Sequence, residues 1–511
     1  MSSLGNPSAK PRTAHVAVLS FVGGVVVALG TPPFNLYPCF WIGLAVWAYA
    51  LRGVGGIVTG RQSILSGLLF GVGANLTLKR FIPATLLHFT PVGLPAAIGL
   101  FLVYCIFESL RWAVAAWVAQ KGMRLGARRS LSFGAGAFLA SFVPSIIAWD
   151  VASGISPWPI VNQIAELIGQ RGVGAVMAIT ASLMASAVER GASRGARRTA
   201  AIVATSIVSF QVFYGAVRLA AFGNENVPHV KVALVQPNFD AKDRWTEGRQ
   251  PALLAKLTAL TIEAERLGAV LTVWPENAYP YPVAHASRQA PIGDAAPLQF
   301  GVHGPVLLGL ITTSNRGVYN SAAVATQDGA LSEPQDKMRL MWFGETLPVV
   351  GGIDWIRRAF PRVFGLVAGR EALLQKAGAV RAGVLNCVED TLPSVALDVM
   401  REEPNLLVNI TNDAWFSPSA QSEIHLRMSA LRAIEARRDF VRAVNGGVTA
   451  WVDATGRVRA RLENEGVLIA EPALREGKTI YVMAGDLPLL ILFTAGMVSS
   501  ARRRDGKTAN A

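Results

Sequence analysis

Seven apolar runs, separated by short basic loops, fill the chain from about Val16 to Ala220, and an eighth follows at Leu487–Ser500. No other feature narrows the fold as far. A helix that crosses a bilayer needs about 20 predominantly apolar residues, and about 17 can suffice. The pattern predicts spans at Val16–Thr31, Cys39–Leu51, Ile64–Leu78, Val92–Val118, Leu131–Trp149, Gly172–Val188, Ala200–Leu219 and Leu487–Ser500. Several are short, so their ends are soft. The first is not a signal peptide, because further spans follow it instead of a soluble mature chain. Composition agrees: charged residues are 16% of the 511, hydrophobic residues 51%, and mean hydropathy is +0.37. A soluble domain carries roughly 25% charged residues. Residues 1–220 are therefore expected to form a membrane domain of about seven helices. A polar domain at 228–475, a final span at 485–500 and a basic tail at 501–511 complete the division.

Orientation comes from the loops. Lys10 and Arg12 precede the first span, and Arg52 and Arg61 follow the second. Lys121, Arg124, Arg128 and Arg129 follow the fourth, Arg190, Arg194, Arg197 and Arg198 the sixth, and Arg502, Arg503, Arg504 and Lys507 the last. Eight spans put all these clusters on one side, which the positive-inside rule makes the cytoplasm. Lys79 and Arg80 are the exception. The polar domain then faces outward, which in a bacterium is the periplasmic side of the inner membrane. The net charge of +14 is thus mostly topology. Nucleic-acid binding, the usual reading of a pI near 10, is not expected of basic residues dispersed among apolar spans.

The polar domain alternates strand and helix patterns. Strands are predicted at 230–236, 269–274, 305–312, 319–326, 379–387, 405–410, 440–444 and 447–453, with a hairpin turn at 452–458. Helices are predicted at 252–267 and 423–437. Continuous apolar strands separated by helices imply an α/β domain whose sheet is covered on both faces.

Three predicted strand ends carry reactive side chains: Glu276 after Trp274-Pro275, Cys387 after Asn386, and Asn412-Asp413. Sites in such folds collect at the carboxyl ends of strands. Cys39 and Cys105 lie in apolar runs, which leaves Cys387 as the single cysteine of the polar domain and argues against a disulfide scaffold. A free cysteine is more often a small buried hydrophobe, so its claim to chemistry rests on neighbours. A thiol with pKa near 8.5 is only a few per cent thiolate at neutral pH and needs a base or a cation. Glu276 can take the proton. Lys337 can stabilise the thiolate and then an oxyanion, with the backbone N–H of Val388 as second donor.

Glu276 in Trp274-Pro275-Glu276, Lys337 eight residues before Glu345, and Cys387 before Glu389 together resemble the Glu–Lys–Cys pattern of the nitrilase superfamily. The likeness to its membrane branch, the apolipoprotein N-acyltransferase family, is greater. It runs through Phe343-Gly344-Glu345, Asn412-Asp413-Ala414-Trp415-Phe416, His425-Leu426-Arg427-Met428 with Arg432-Ala433-Ile434-Glu435, and Arg442-Ala443-Val444-Asn445-Gly446-Gly447-Val448-Thr449. The resemblance covers nearly the whole chain. It implies a multi-pass α-helical membrane protein of about eight spans carrying a nitrilase-like αββα sandwich.

The implied reaction transfers a fatty acyl chain from a membrane phospholipid to the α-amino group of the S-diacylglyceryl-cysteine of an apolipoprotein, by way of a thioester on Cys387. Glu276 is then the proton acceptor, Lys337 the oxyanion partner, and Glu345 and Glu389 auxiliary carboxylates. The partners implied are the lipid bilayer, the phospholipid donor and the lipoprotein acceptor. A monomer is expected, and no metal or diffusible cofactor is required. Trp245, Trp342 and Trp415 are candidates for substrate contact, Trp342 foremost because its segment bears Lys337. Asn412 and Asp413 are expected to cap the following segment, and His425 to serve packing or helix termini. One departure stands out: Val388 replaces the family's usual aromatic after the nucleophile. The backbone N–H survives that change, while any role of the ring does not. A membrane-tethered amidase or nitrilase with the same three residues is the rival reading, with water in place of the amine. A catalytically silent membrane scaffold is a third.

Overall fold

The computed structural model describes residues 13–52, 57–222, 227–240, 246–299, 301–347, 353–354, 358, 365–416 and 419–509, with backbone alone for 503–509. Lys10, Arg12 and Trp245 lie outside the described residues, as do the side chains of Arg503, Arg504 and Lys507. The chain divides into two compact units, Met1–Leu87 with Val92–Arg218 and Ala484–Ala511, and His88–Pro91 with Leu219–Met483.

The first unit is helical: α1 Thr13–Ala28, α2 Cys39–Arg52, α3 Gly60–Leu78, α4 Ile82–Phe89, α5 Leu94–Arg124, α6 Arg129–Ala140, α7 Val151–Gly154, α8 Pro159–Asn162, α9 Ala165–Ala187 and α10 Arg194–Ala221. Thr59 starts α3 through a capping box: its hydroxyl accepts from the Gln62 N–H at 3.2 Å while the Gln62 side-chain oxygen Oε1 accepts from the Thr59 N–H at 3.0 Å. Small residues let these helices approach backbone to backbone. A Cβ on Gly24 would fall 1.9 Å from the Phe70 carbonyl oxygen, and one on Gly67 would fall 2.2 Å from that of Trp112.

By length and apolar composition, three of the described helices suffice to cross a membrane: α5, α9 and α10, at 31, 23 and 28 residues. The helices α1 and α2 and the stretch Leu487–Arg502 are apolar but shorter. The predicted span Leu131–Trp149 is not one helix. Helix α6 stops at Ala140, and turns and bends occupy 141–150. Pro144 supplies no N–H and disfavours helix before it. Exposed backbone in such a segment must find partners. Glu108 of α5 provides them: one oxygen accepts from the Ile146 N–H at 2.6 Å and the other from the Ser145 hydroxyl at 2.6 Å. Helix α9 likewise begins earlier than the apolar run, with a break at Gly169, whose φ of 66° is a conformation glycine adopts without a Cβ penalty.

The second unit is a sandwich of two sheets between helices. One sheet runs, in order, β13 (Gly466–Ala470), β1 (Val232–Gln236), β2 (Leu271–Val273), β4 (Val306–Ser314), β5 (Gly317–Ala325) and β6 (Gln335–Asp336), with β3 (Val283–Ala284) also paired to β4. The other runs β12 (Val458–Leu462), β11 (Thr449–Val452), β10 (Phe440–Asn445), β9 (Leu406–Asn412), β8 (Val380–Asn386) and β7 (Gln375–Ala377). Strands β1, β2 and β4 are parallel, as are β8, β9 and β10. The predicted hairpin joins β11 to β12, with Val452 opposite Val458.

Side-chain alternation builds the layers. Val232, Leu234, Leu271, Val273 and Leu307 of the first sheet meet Val384, Leu406, Val408, Ile410 and Val441 of the second in one buried core. On the outer face of the first sheet, Val235, Trp274 and Leu308 pack on Leu254, Leu257 and Leu260 of α11 (Gln250–Arg266). On the outer face of the second, Leu385, Leu407 and Ala450 pack on α12 (Pro393–Arg401) and α13 (Gln421–Ala436). The order helix, sheet, sheet, helix is the predicted αββα sandwich, and burial on both faces explains why these strands read as unbroken apolar runs. Two further helices, α14 (Ile480–Ala484) and α15 (Leu487–Ala509), end the chain.

Candidate active site

Glu276, Lys337 and Cys387 each follow a strand end, β2, β6 and β8 respectively. The Lys337 ammonium lies 3.0 Å from Glu276 Oε1 and 2.8 Å from Glu345 Oε1. Asn320 of β5 donates from its amide nitrogen to the same two oxygens, at 2.7 and 2.9 Å. Its side-chain oxygen accepts from Asn386 at 3.0 Å, and its backbone oxygen accepts from the Lys337 N–H at 2.8 Å. The second Glu276 oxygen accepts from the Asn412 N–H at 3.1 Å. Glu345 is turned back toward Lys337 by a tight turn over 341–346. There Phe343 has φ of 64°, and the second Glu345 oxygen accepts from the Met341 N–H at 2.8 Å.

Cys387 opens a 3-10 turn, Cys387–Thr391, directly after β8, with φ of +54°. A non-glycine residue there is uncommon, and such strain is concentrated at functional sites. Glu389 holds the turn. One oxygen accepts from the Met338 and Arg339 N–H groups at 2.5 and 2.8 Å, and the other from the Asn386 N–H at 2.8 Å. This single carboxylate ties the segment carrying Lys337 to the turn carrying Cys387. Burial pushes its carboxyl up to about 7 against the pull of those N–H groups and of Lys337.

The charges explain the protonation state. Burial and the Glu276 carboxylate push the Cys387 thiol well above its ordinary range, and Lys337 opposes them. Burial pulls Lys337 down, but Cys387, Glu276 and Glu345 together raise it well above the usual amine value. The resting site therefore holds a protonated thiol beside a fixed ammonium and a carboxylate. It suits a nucleophile that loses its proton to the carboxylate as it attacks.

Gly309 on β4 keeps Glu276 in place by close approach. A Cβ there would lie 2.0 Å from the Pro275 carbonyl oxygen and 2.8 Å from the Glu276 Cα. Gly309→Ala is expected to destabilise the domain by about 1–3 kcal/mol, as overpacking does. It should also slow any reaction that uses Glu276. A melting temperature and rate equal to those of the parent would contradict this.

Of the other sequence candidates, Val388 lies within the turn, half-buried, and Trp342 and Trp415 are half-buried in the turns 342–346 and Asp413–Phe416. Asn412 caps as expected, its side-chain oxygen accepting from the Ala414 N–H at 3.3 Å. His425 departs from the expectation of packing. It lies in the second turn of α13 with Nε2 2.8 Å from Asp390 and Nδ1 3.1 Å from Asp413, inside a buried charged network. Asn320, Asn386 and Asn409 are fully or nearly fully buried and were not singled out from sequence. The signal available was a polar amide inside an apolar strand, which must find partners.

A thiol, an ammonium and a carboxylate at strand ends of an αββα sandwich define a carbon–nitrogen-hydrolase type of domain. Residues 231–478 match the carbon-nitrogen hydrolase family, and residues 23–183 match the apolipoprotein N-acyltransferase N-terminal domain. Similar proteins named apolipoprotein N-acyltransferase include that of Bradyrhizobium diazoefficiens, 28% identical over 96% of this chain and 95% of its own. That of Geobacter metallireducens is 28% identical over 93% and 92%, and that of Allorhizobium ampelinum 28% over 88% and 88%. Along nearly its whole length the chain is similar to the apolipoprotein N-acyltransferases, and it is an acyltransferase.

Proposed function

We propose that this protein N-acylates lipoproteins, taking the acyl chain from a membrane phospholipid and passing it through a thioester on Cys387. The observation that carries this reading is the Lys337 ammonium held between Glu276 and Glu345, beside the Cys387 turn, in a chain that also bears apolar helices of membrane-spanning length. In the first half-reaction Glu276 takes the thiol proton and the sulfur attacks the ester carbonyl carbon. The oxygen becomes an oxyanion bound by Lys337 and the Val388 N–H. The C–O bond breaks, Glu276 returns the proton to the departing alkoxide, and a lysophospholipid leaves. In the second, the α-amino group of a diacylglyceryl-cysteine attacks the thioester. Glu276 takes the amine proton, the C–S bond breaks, and the thiol is restored.

The physics supports the scheme. Both substrates carry lipid anchors, so one leaflet concentrates them at a single site. The excess of Lys and Arg in alternate loops supports a catalytic domain on the periplasmic side of the inner membrane. The test is to incubate the purified full-length protein with labelled phospholipid and a diacylated lipopeptide, then read masses. An acyl adduct on Cys387 that moves to the peptide amine is expected. Release of free fatty acid with no peptide acylation would favour the hydrolase reading instead.

A further inference from the structure

Two sequence motifs, those beginning at His425 and at Arg442, have no place in the chemistry above, and the structure gives them one. Asp390, the fourth residue of the Cys387 turn, is fully buried. Its Oδ2 accepts from Arg442 Nη1 at 2.9 Å and from the Ser429 hydroxyl at 2.5 Å, and its Oδ1 lies 2.8 Å from His425 Nε2. Asp413, one residue past β9, completes a quartet. Its Oδ2 accepts from Arg442 Nη2 at 2.6 Å and from the Ser422 hydroxyl at 2.6 Å, and its Oδ1 lies 3.1 Å from His425 Nδ1. Two carboxylates thus face an arginine and a histidine, and His425 Nδ1 also lies 2.9 Å from Arg442 Nη2.

The quartet reaches the nucleophile by a second route. Arg442 Nη1 also donates to Asn409 Oδ1 at 3.1 Å. The Asn409 amide nitrogen, so oriented, donates to the backbone oxygens of Leu385 at 2.8 Å and of Cys387 itself at 3.1 Å. The residue with φ of +54° therefore has its carbonyl anchored on one side and its turn tied down through Asp390 on the other.

We propose that His425 and Arg442 are positioning residues that act through Asp390 and Asn409 to hold the Cys387 turn in its left-handed conformation, so that the sulfur stays in line with Glu276 and Lys337. This rests on Cys387 being the nucleophile. A buried ion network could serve the fold alone, since breaking such a network destabilises in any case. The two roles separate in the kinetics, because misplacing a reacting group lowers the rate in enzyme that is still folded. They also separate in pH. Burial and Arg442 pull the His425 imidazole down, but Asp390 and Asp413 outweigh them and raise it to about 9. The group is raised above its ordinary 6.5, so the stability that the charged imidazole contributes is full below about 6.5 and is lost as pH rises through about 9.

The experiment measures formation of the acyl-enzyme on full-length protein in phospholipid micelles, by mass, across pH and below the melting temperature. His425→Gln is expected to lower kcat for thioester formation about 10- to 100-fold, leave KM for phospholipid unchanged, and remove a fall in rate that the parent shows near pH 9. Ser429→Ala, which removes one bond to Asp390 and the 3.3 Å contact from Arg442 Nη1 while leaving the ion pairs in place, should lower kcat by a smaller factor and decides the matter if His425→Gln does not fold. Variants that melt earlier yet keep the parent kcat and alkaline limb would overturn the proposal while the thioester reading stands. Absence of any adduct in the parent would instead remove that reading.

Discussion

Cys387→Ala is expected to yield no acyl adduct and no N-acylated peptide. Losing a nucleophile that works as a unit with its base costs on the order of 10⁶ in rate in comparable covalent enzymes. The fold should survive. Alanine carries a Cβ as cysteine does, so the left-handed residue is no more strained. The Glu389 and Asn409 bonds that hold the turn go to backbone N–H and C=O groups rather than to the sulfur. The check is a melting curve near that of the parent together with adduct-free mass spectra. A variant that still transfers acyl chains at the parental rate would sink the thioester mechanism outright.

Lys337→Ala carries the second large effect, and it acts on rate and stability together. The ammonium is 1% exposed and serves two carboxylates whose Oε1 atoms also share one Asn320 amide. Removing it leaves two carboxylates side by side without the cation that holds them together. Losing one oxyanion donor alone costs about 10²–10³ in rate. Lys337 also holds Glu276 in place, and misplacing the base adds to that, so a fall beyond about 10³-fold in thioester formation is expected. Breaking a buried ion pair costs about 3–5 kcal/mol, so the melting temperature should drop as well. A rate within tenfold of the parent, measured on folded protein, would show that Lys337 serves the fold and not the reaction.

How much of this was legible in the residues depends on the range of the interaction. Glu276, Lys337 and Cys387 stand where apolar runs give way to polar residues, a local signal. Continuous apolar strands between amphipathic helices implied an α/β domain with both sheet faces covered, while the αββα layering was implied only by the family resemblance. Asn320 gave little away. It is one amide in the run Val318–Ala325, and its role appears only once antiparallel pairing sets Ser321 opposite Asp336 and brings Lys337 beside it. His425 and Arg442 were visible as motif residues, but a helix histidine and a strand arginine each have several ordinary uses. Their meeting with Asp390 and Asp413 depends on α13 packing over the parallel strands β9 and β10. The high apolar count of 131–149 predicts a span, while Pro144 and the Glu108 bonds decide the path after Ala140.

By itself the sequence determined which stretches must avoid water and which must alternate, because hydropathy and period are properties of neighbouring residues. It therefore set the long apolar helices, the polar domain and the strand ends that bear reactive groups. Only the tertiary structure decided that a lysine 61 residues from Glu276 would pair with it, that Glu389 would reach the Lys337 segment, and that a buried quartet would lie behind the Cys387 turn. The Glu389 contact joins the two sheets, the Lys337–Glu276 pair joins strand ends of one sheet, and the quartet joins the second sheet to α13. No local pattern encodes them, because each depends on elements distant in sequence packing together.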